Sequence, residues 1–408
     1  TFDPTIMMKR FSLLAAFVAL TPIAEAATAE RSQEVPQKYP EFSWEHIPRY
    51  IHLYKRNAYT AKEIEFIATF PLITFEKAQG TAEGSVQAGT LSAATAIKKI
   101  NPKAKILYYK NIVIDWGGSE MTKDLEAIKG AYLQSKDGSF PVANSNSNRK
   151  FFDISQPEVQ DCWMKDATRM LNDPSIDGVF IDANIKVLVR NYFAKGKKVG
   201  DEKLQELNKG YDQLLGRIEQ DLKPKHLVIG NILRARFANG GLEYLDYFDG
   251  SYLEAFEHNV GGVLRADYVA KGISTAQEAA RQGKIIAFTA PLGEEAQKDS
   301  SGGGLDETGQ GIKKENAMSK RLTYLTALFL TIAEKHSYFF PHDGYAVKNT
   351  RRGKQGNPTW IKSLPIFEKK LGSPKGPATK EGYIYTREFE HCSVWLDIEN
   401  ESATLTWK

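Results

Sequence analysis

Short apolar runs alternate along the chain with longer segments whose apolar residues recur at helical period. The runs are four to seven residues long and rich in β-branched and aromatic residues, which favours buried strands. They lie at residues 50–54, 72–75, 105–111, 178–182, 226–231, 250–255, 284–288 and 338–341. Strands that alternate with helices are typical of βα units around a parallel sheet. We therefore predict an α/β fold, a (β/α)₈ TIM barrel.

The intervening segments have clear helical stripes. One stripe spans residues 204–222 and another spans 318–332, and both are expected to be packing faces. Capping-box spacing predicts three helix starts, at the pairs Thr60/Glu63, Ser155/Glu158 and Ser274/Gln277.

Two connections are too long to be simple turns. Residues 115–155 follow the third strand and contain the polar tract 144–148, and residues 291–313 follow the seventh strand and contain a Ser-Ser-Gly-Gly-Gly run. Loops of this length are usually functional. Both follow strands, on the catalytic side of such barrels, so we predict lids. The glycine-rich loop lacks the Gly-Lys-Ser/Thr ending of a phosphate loop.

The pattern changes near the carboxyl end. We predict a last helix at residues 358–371 and then three short antiparallel strands at 383–389, 393–398 and 403–407. About 35 residues are too few for an independent core. We therefore assign residues 27–372 to the barrel and 373–408 to a small antiparallel β appendage packed against it.

The first 26 residues have the pattern of a secretory signal peptide. Lys9 and Arg10 precede an apolar stretch at 11–20, and Ala24 and Ala26 form an A-x-A-like cleavage site. We expect export to the periplasm or the extracellular space, with the mature chain starting near Ala27. No other stretch approaches the ~18 apolar residues of a membrane span.

Charge and cysteine content narrow the function further. The net charge is +4 in 408 residues, without a lysine- or arginine-rich tract, so we expect no nucleic-acid partner. Export would permit a disulfide between Cys162 and Cys392, but we favour two isolated buried thiols. No Cys-x-x-Cys or His-x₃₋₅-His spacing is present, and we expect neither a metal nor a cofactor.

Two acidic residues close apolar strands. Asp182 ends the run 178–184 and Glu254 lies near the end of the run 248–256. A carboxylate is costly beside a dry core unless it is paired or faces a cleft. Positions two strands apart begin ~9–10 Å apart, and leaning side chains shorten that distance. The range covers both retaining and inverting glycosidases, so the stereochemical outcome stays open. The alternative for each acid is a salt bridge or a loop cap.

Further polar and aromatic residues at strand ends could contact a sugar, or could instead be rim or core residues. These substrate-binding candidates are Tyr54, Glu76, Lys110, Asn111, Trp116, Asn184, Asn231, Tyr252, His342 and Asp343. Asn184 is included because it would share a strand face with Asp182, whereas Glu257 would point away from the face of Glu254. Glu76 could pair with Lys77 or Lys110. Arg234 and Arg236 could read a carboxylate or sulfate, although solvated charges are the simpler interpretation.

Three segments resemble a known family. Residues 151–159, 177–184 and 252–256 are similar to the glycoside hydrolase barrels grouped as hypothetical glycosyl hydrolase family fifteen. These barrels are distantly similar to α-galactosidase and endo-α-1,4-polygalactosaminidase barrels. The resemblance covers roughly residues 50–407. It implies a strand-four aspartate as nucleophile or base, matching Asp182, and a later-strand carboxylate as acid, matching Glu254.

The main hypothesis is therefore an exported glycoside hydrolase that acts on a polysaccharide or oligosaccharide. One alternative is a polysaccharide lyase, in which Lys110, a tyrosine or His342 abstracts a proton and arginines neutralise a uronate. The other is a carbohydrate-binding barrel without catalysis. The identity of the sugar, endo or exo action and the oligomeric state stay open.

Overall fold

The computed structural model describes residues 37–143, 148–254, 256–258, 260–292, 310–342, 344–347 and 363–408. These residues form eight parallel strands in sequential order: β1 Ile51–Leu53, β2 Leu72–Phe75, β3 Lys105–Asn111, β4 Gly178–Asp182, β5 Leu227–Gly230, β6 Gly250–Leu253, β7 Ile285–Ala290 and β8 Ser337–Pro341. Parallel bridges from Arg49 to Phe339 and from Tyr54 to Ala346 bring the last strand beside the first. The predicted (β/α)₈ barrel is confirmed.

Helices surround the strands and bury their apolar stripes against them. They are α1 Ala61–Ile67, α2 Val86–Ile100, α3 Glu120–Glu126, α4 Pro157–Leu171, α5 Asn184–Leu188, α6 Arg190–Ala194, α7 Asp201–Arg217, α8 Arg265–Arg281 and α9 Gln310–Ile332. Short 3₁₀ turns lie at Thr81–Glu83, Leu242–Tyr247 and Pro365–Glu368, and a π turn at Ile218–Leu222 extends α7. The predicted stripe at 204–222 is buried from Leu204 to Leu222.

One of the three predicted capping boxes is confirmed. Thr60 and Glu63 satisfy each other's backbone groups at the start of α1. At α4 the prediction was wrong, because the Ser155 hydroxyl donates instead to Asp153 (2.6 Å) and the helix begins two residues later at a proline. The Ser274 pair lies inside α8, where the hydroxyl donates to the Lys271 carbonyl (3.0 Å). Capping-box spacing is therefore a weak predictor of a helix start where no turn or loop signal precedes it in the sequence.

The carboxyl end differs partly from the prediction. Four antiparallel strands form the appendage: β9 Thr379–Glu381, β10 Ile384–Glu388, β11 Cys392–Asp397 and β12 Ser402–Trp407. We missed β9 because all three of its residues are exposed and show no alternation. The predicted helix at 358–371 is wrong in its described part, where one short turn is followed by an extended Lys369. The Leu371 N–H then bonds to the Glu45 carbonyl (2.8 Å) instead of a helical partner.

Several predictions lie outside the described residues. These are the signal segment 1–26, residues 144–147, Asp343 and residues 293–309. The described part of the first long connection is ordered, since it contains α3 and two antiparallel bridges, from Tyr132 to Phe152 and from Val142 to Lys150.

Both cysteines are free and buried, as predicted. No helix in the described ranges is long and apolar enough to span a bilayer. The described residues also contain no cluster of three or more His, Cys, Asp or Glu side chains with metal-binding geometry.

The strands that lead to Asp182 and Glu254 each begin with a glycine. A Cβ at Gly178 would lie 2.1 Å from the Leu227 carbonyl oxygen, and a Cβ at Gly250 would lie 2.1 Å from that of Ile285. Real Cβ atoms essentially never approach a neighbour closer than 3.0 Å, and here the neighbour is the backbone of the adjacent strand. The missing side chain therefore lets the neighbouring strands come close.

We expect Gly250→Ala to lower the free energy of unfolding by about 3 kcal/mol, because β7 must move to admit the methyl group. Gly216→Ala is the matched control. Gly216 lies in α7 with nothing within 4 Å of its Cβ position, so alanine should stabilise by about 0.5–1 kcal/mol. Urea unfolding of both variants measures the difference. Equal stability of the two would contradict the close strand approach.

Candidate active site

Asp182 sits where β4 ends and the chain turns abruptly. The next residue, Ala183, has a left-handed backbone (φ 68°), and its N–H donates to Asp182 Oδ1 at 2.7 Å. A non-glycine residue in this conformation is strained, and such strain is concentrated at functional sites. The Tyr109 hydroxyl donates to the other oxygen, Oδ2, at 2.7 Å, and Asn111 in turn donates to that hydroxyl (2.9 Å). The carboxylate is thus held by fixed donors on two sides.

Asn231 links the two predicted catalytic acids. It follows β5, between the strands that carry them, and its Nδ2 donates to Asp182 Oδ1 at 3.1 Å and to Glu254 Oε2 at 3.0 Å. Because one nitrogen makes both contacts, the two acceptor oxygens are at most about 6.1 Å apart. Arg234 donates to the Asn231 side-chain oxygen (2.6 Å), which fixes the orientation of the amide toward both acids.

Glu254 is the more accessible of the two acids. Its side chain is 46% exposed. The Tyr345 hydroxyl donates to Oε1 (3.2 Å), and Arg234 lies 3.4 Å from Oε2. Tyr345 is itself bonded to the Tyr252 hydroxyl at 2.6 Å. Glu254 therefore faces the cleft while its carboxylate is held by residues that follow β5 and β8.

The buried Glu76 and the half-buried Lys77 form an ion pair at the end of β2, with Lys77 Nζ 2.5 Å from Glu76 Oε2. Burial raises the pKa of Glu76 above its ordinary value, although Lys77 opposes the shift. Burial alone would lower the pKa of Lys77, but the charges of Glu76, Asp182 and Glu254 outweigh it and raise that pKa. Lys77 is therefore an ammonium ion that faces all three carboxylates.

The ionisation of Asp182 depends on this cation. Burial works to raise the pKa of Asp182, but the charge of Lys77 and the hydrogen bonds from Tyr109, Ala183 and Asn231 outweigh it. The net pKa is lowered, so Asp182 is a carboxylate at neutral pH. A half-buried, ionised carboxylate with fixed donors is suited to nucleophilic attack.

Aromatic rings and neutral histidines fill the barrel beneath the acids. The His52 ring contacts the rings of Phe180, Tyr252 and Tyr345 at 4.8–5.3 Å between centroids. His342 stacks on Phe340 at 4.8 Å. Burial lowers the pKa of both histidines, that of His342 to about 4, so both are uncharged at neutral pH. They pack the floor of the cleft and supply no charge.

Trp116 lies at the side of the cleft, with its ring 4.9 Å from Lys77 Nζ. The same ammonium is 5.5 Å from the Tyr109 ring centroid. Two aromatic faces therefore hold the Lys77 cation in place. Trp116 also lines a cavity of about 50 Å³ beside β3, together with Asp115, Thr122 and Phe152.

The sequence matches the model of one protein family over residues 98–393, described as hypothetical glycosyl hydrolase family 15. This match covers well over half of the chain. The chain belongs to this family. It is therefore a glycoside hydrolase, and the two facing carboxylates have the chemistry that this class of reaction requires.

Solved structures give a broad likeness in fold. An α-amylase from Anoxybacillus is 12% identical, with a TM-score of 0.45 and 87% coverage of each chain. Ega3 from Aspergillus fumigatus, solved with galactosamine, is 14% identical, with a TM-score of 0.35 and coverage of 70% and 88%. An α-galactosidase from Lactobacillus brevis is 13% identical, with a TM-score of 0.36 and coverage of 61% and 34%. No curated protein shows significant similarity to the sequence.

Within this family member, the structure brings most of the predicted site residues together. The residues that lie at or beneath the carboxyl ends of the strands are Asp182, Glu254, Glu76, Asn231, Tyr252, Trp116 and His342. Tyr54 bonds through its backbone N–H to the Tyr345 carbonyl (2.8 Å), beside the cleft. Asn111 acts through Tyr109, because its own side-chain oxygen accepts from the Val113 and Ile114 N–H groups.

Two predicted sugar ligands are not in the cleft. Lys110 points outward from β3 and its Nζ pairs with Asp166 of α4 at 2.7 Å, with 3% of its side chain exposed. Adjacent strand residues face opposite ways, so Tyr109 and Asn111 take the inner face and Lys110 the outer one. Asn184 is fully buried, with its Oδ1 bonded to the Tyr211 hydroxyl (2.9 Å). The left-handed Ala183 ends the alternation on which its prediction depended.

Four residues of the cleft were not among the predicted substrate-binding residues: Lys77, Tyr109, Arg234 and Tyr345. Strand alternation could have identified Tyr109, since it shares a face with Asn111. The interpretation of Arg234 as a solvated charge is wrong, since its side chain is 10% exposed and pairs with Glu254. Arg236 is exposed, in keeping with that interpretation.

We expect Lys77→Met to move the acidic limb of the activity profile to higher pH. Asp182 has a depressed pKa, so activity that needs its carboxylate is present above that pKa and lost as pH falls through it. Without the Lys77 charge the pKa rises, and activity is lost earlier on acidification. The measurement is kcat/KM against pH. Lys103→Met, which removes a 71% exposed lysine, should leave the limb unmoved; an unmoved limb in Lys77→Met would contradict the coupling.

Proposed function

We propose that this glycoside hydrolase cleaves a polysaccharide or oligosaccharide with retention of configuration, using Asp182 as nucleophile and Glu254 as general acid and base. The observation that carries the proposal is the shared contact of Asn231 with both carboxylates. Their nearest oxygens lie within about 6.1 Å, below the ~6.5–9.5 Å separation of inverting enzymes and near the ~5–5.5 Å of retaining ones. A pair this close favours attack by Asp182 itself over attack by a water molecule that Asp182 activates.

In the first step an Asp182 oxygen attacks the anomeric carbon while the bond to the leaving oxygen breaks. Glu254 gives its proton to that oxygen, and a glycosyl ester on Asp182 results. In the second step Glu254, now a carboxylate, takes a proton from water, and the water oxygen attacks the same carbon. The Asp182 carboxylate is released, and the sugar leaves with its original configuration.

The two acids suit these different tasks. Asp182 is ionised and held by three donors, which supports the nucleophile. Glu254 is 46% exposed, so a leaving group on the solvent side can reach it. Glu76 is a third carboxyl of the cleft among the described residues, but its side chain is 5% exposed and bonded to Lys77. Its depth supports a role in holding Lys77.

The lyase alternative is not favoured. Of its candidate bases, Lys110 is paired with Asp166 outside the cleft, and His342 Nδ1 lies 3.1 Å from the Gly344 carbonyl oxygen within a stacked aromatic cluster. Hydrolysis by two carboxylates instead uses Asp182 and Glu254, which face each other in the cleft.

The test is incubation with neutral, amino and acidic polysaccharides, with products resolved by mass. Hydrolysis adds the mass of water, whereas elimination does not. Proton NMR of the first-formed product then gives its anomeric configuration. Initial product of inverted configuration would overturn the retaining mechanism, and binding without any product would favour the carbohydrate-binding barrel.

We also propose that the protein is exported, from the charged, apolar and small-residue pattern of residues 9–26. The experiment is expression in a bacterial host, cell fractionation and N-terminal mass analysis. We expect a periplasmic or extracellular product that begins near Ala27. A cytoplasmic chain that keeps residues 9–26 would overturn the proposal.

A further inference from the structure

Glu257 lies three residues after Glu254 and points away from the cleft into two arginines. Its Oε1 accepts from Arg265 Nη2 at 2.5 Å and from Arg321 Nη1 at 3.2 Å, and Arg321 also contacts its Oε2. The Glu257 side chain is 11% exposed and the arginines are 27% and 24% exposed. Charge pairs at this depth are screened less than surface pairs. We call these three residues the Glu257 brace.

Each arginine of the brace also holds a second element. Arg321, on α9, donates from Nε to the Pro291 carbonyl at 3.1 Å, directly after β7. Arg265, the first residue of α8, donates from Nη1 to the Ile398 carbonyl at 3.1 Å and lies 3.3 Å from Glu401. Ile398 and Glu401 lie in the turn that joins β11 to β12 of the C-terminal sheet. The brace therefore connects the loop after β6 with β7, α8, α9 and the appendage.

Glu254 needs such support because it lies just beyond the strand that carries it. Strand β6 pairs with β7 only as far as Leu253. The Glu254 carboxylate has polar partners at its tip, yet its backbone is outside the sheet. A catalytic group must be held within about 0.5 Å of its productive position, and supporting residues supply that precision.

We propose that Glu257 is a positioning residue for the general acid Glu254, and that the C-terminal sheet belongs to the catalytic unit through Arg265. The inference rests on the proposed role of Glu254. It assigns the appendage a part in catalysis rather than in stability alone. A displaced acid would protonate the leaving oxygen poorly but would not affect attack by Asp182.

The leaving group separates these two steps. A sugar alcohol needs the proton from the acid, whereas a 2,4-dinitrophenolate leaves without one. Because Glu254 also activates water in the second step, the comparison uses kcat/KM, which reports the first step, in which the leaving group departs. We expect Glu257→Gln to lower kcat/KM on the glycan identified by product mass by about 10- to 100-fold. On the dinitrophenyl glycoside of the unit that the enzyme releases, kcat/KM should stay within about threefold. Arg265→Met, which removes the contact between the brace and the C-terminal sheet, should give the same split.

Matched variants control for charge and folding. Glu278→Gln removes an exposed glutamate of α8 that pairs with Arg281, outside the brace, and should leave both substrates unaffected. Glu257→Asp keeps the charge and should recover most of the glycan activity. If Glu257→Gln does not fold, Arg265→Met and Arg321→Met test the same split one contact at a time.

Equal losses of kcat/KM on both substrates would mean a merely structural brace and would overturn the proposal, as would an unchanged kcat/KM on the glycan. A failure of the proposed function is distinguishable, since it appears in the wild type as no cleavage or in Glu254→Gln as full activity. In that event the positioning role falls with it.

Discussion

Asp182→Asn should abolish turnover of the glycan, with kcat reduced on the order of 10⁴-fold or more, because the amide cannot attack the anomeric carbon. The fold should persist, since the amide oxygen can still accept from the Ala183 N–H while the amide NH₂ can donate to the Tyr109 hydroxyl oxygen. Glu254→Gln should reduce kcat by about 10²- to 10⁴-fold, the usual contribution of a general acid. Steady-state kinetics and thermal unfolding of each variant measure the two properties separately.

Azide provides a sharper test of which acid attacks. In Asp182→Ala, azide can occupy the vacated space and attack from the nucleophile's side, which gives a glycosyl azide of inverted configuration. In Glu254→Ala, azide attacks the glycosyl ester and gives retained configuration. Asp201→Asn, which removes an exposed acid paired with Arg190, is the control and should behave as wild type. If Asp182→Ala gave the retained glycosyl azide and Glu254→Ala the inverted one, Glu254 would be the nucleophile and Asp182 the general acid.

Asp166→Ala should lower the free energy of unfolding by about 3–5 kcal/mol, the largest stability effect that we expect. Lys110 and Asp166 are 3% and 4% exposed and pair at 2.7 Å. Without the carboxylate, Lys110 keeps the Met121 sulfur at 3.1 Å as its polar contact among the described residues. A buried ammonium without a counter-ion must either stay unpaired or lose its proton, and both outcomes are costly.

Replacing Lys110 instead of Asp166 should lower the free energy of unfolding by a smaller amount. In Lys110→Met, Asp166 still accepts from Gln87 (2.9 Å), Tyr108 (3.0 Å) and Arg169 (2.8 Å). The double variant should be less destabilised than the sum of the singles, since it removes both buried charges. Asp124→Ala, at an exposed pair with Lys165, should change stability by less than about 1 kcal/mol. Additive effects at Lys110 and Asp166 would contradict a coupled pair.

The same pair predicts how stability depends on pH. Burial works to raise the pKa of Asp166, but Lys110 and the hydrogen bonds from Gln87 and Tyr108 outweigh it and lower the pKa. The stabilisation is therefore present above the ordinary aspartate pKa and lost as pH falls through the depressed value. Activity of Lys110→Met at neutral pH should stay near wild type, because the ammonium does not face the cleft.

Alternation within a strand explains why sugar ligands were partly misassigned. The sequence placed Lys110 and Asn111 together at the end of the third strand, but neighbours on a strand face opposite sides. Only the packing of α4 against β3, with Asp166 on the facing helix, decided which of them pointed outward. Asn184 failed for another reason, since one left-handed residue ended the strand geometry.

The sequence by itself determined the eight strands, the family and the two acids at strand ends. The strands and the acids at their ends depend on local apolar periodicity and on the order of elements along the chain, and the family depends on the resemblance of three short segments. Only the tertiary structure decided how close Asp182 and Glu254 lie, because the curvature of the barrel and the bridging Asn231 set that distance. It also decided that Lys77 faces Asp182 and that Arg265 joins the appendage to the loop of Glu254. Such contacts join residues far apart in the chain, whose side-chain directions no local pattern specifies.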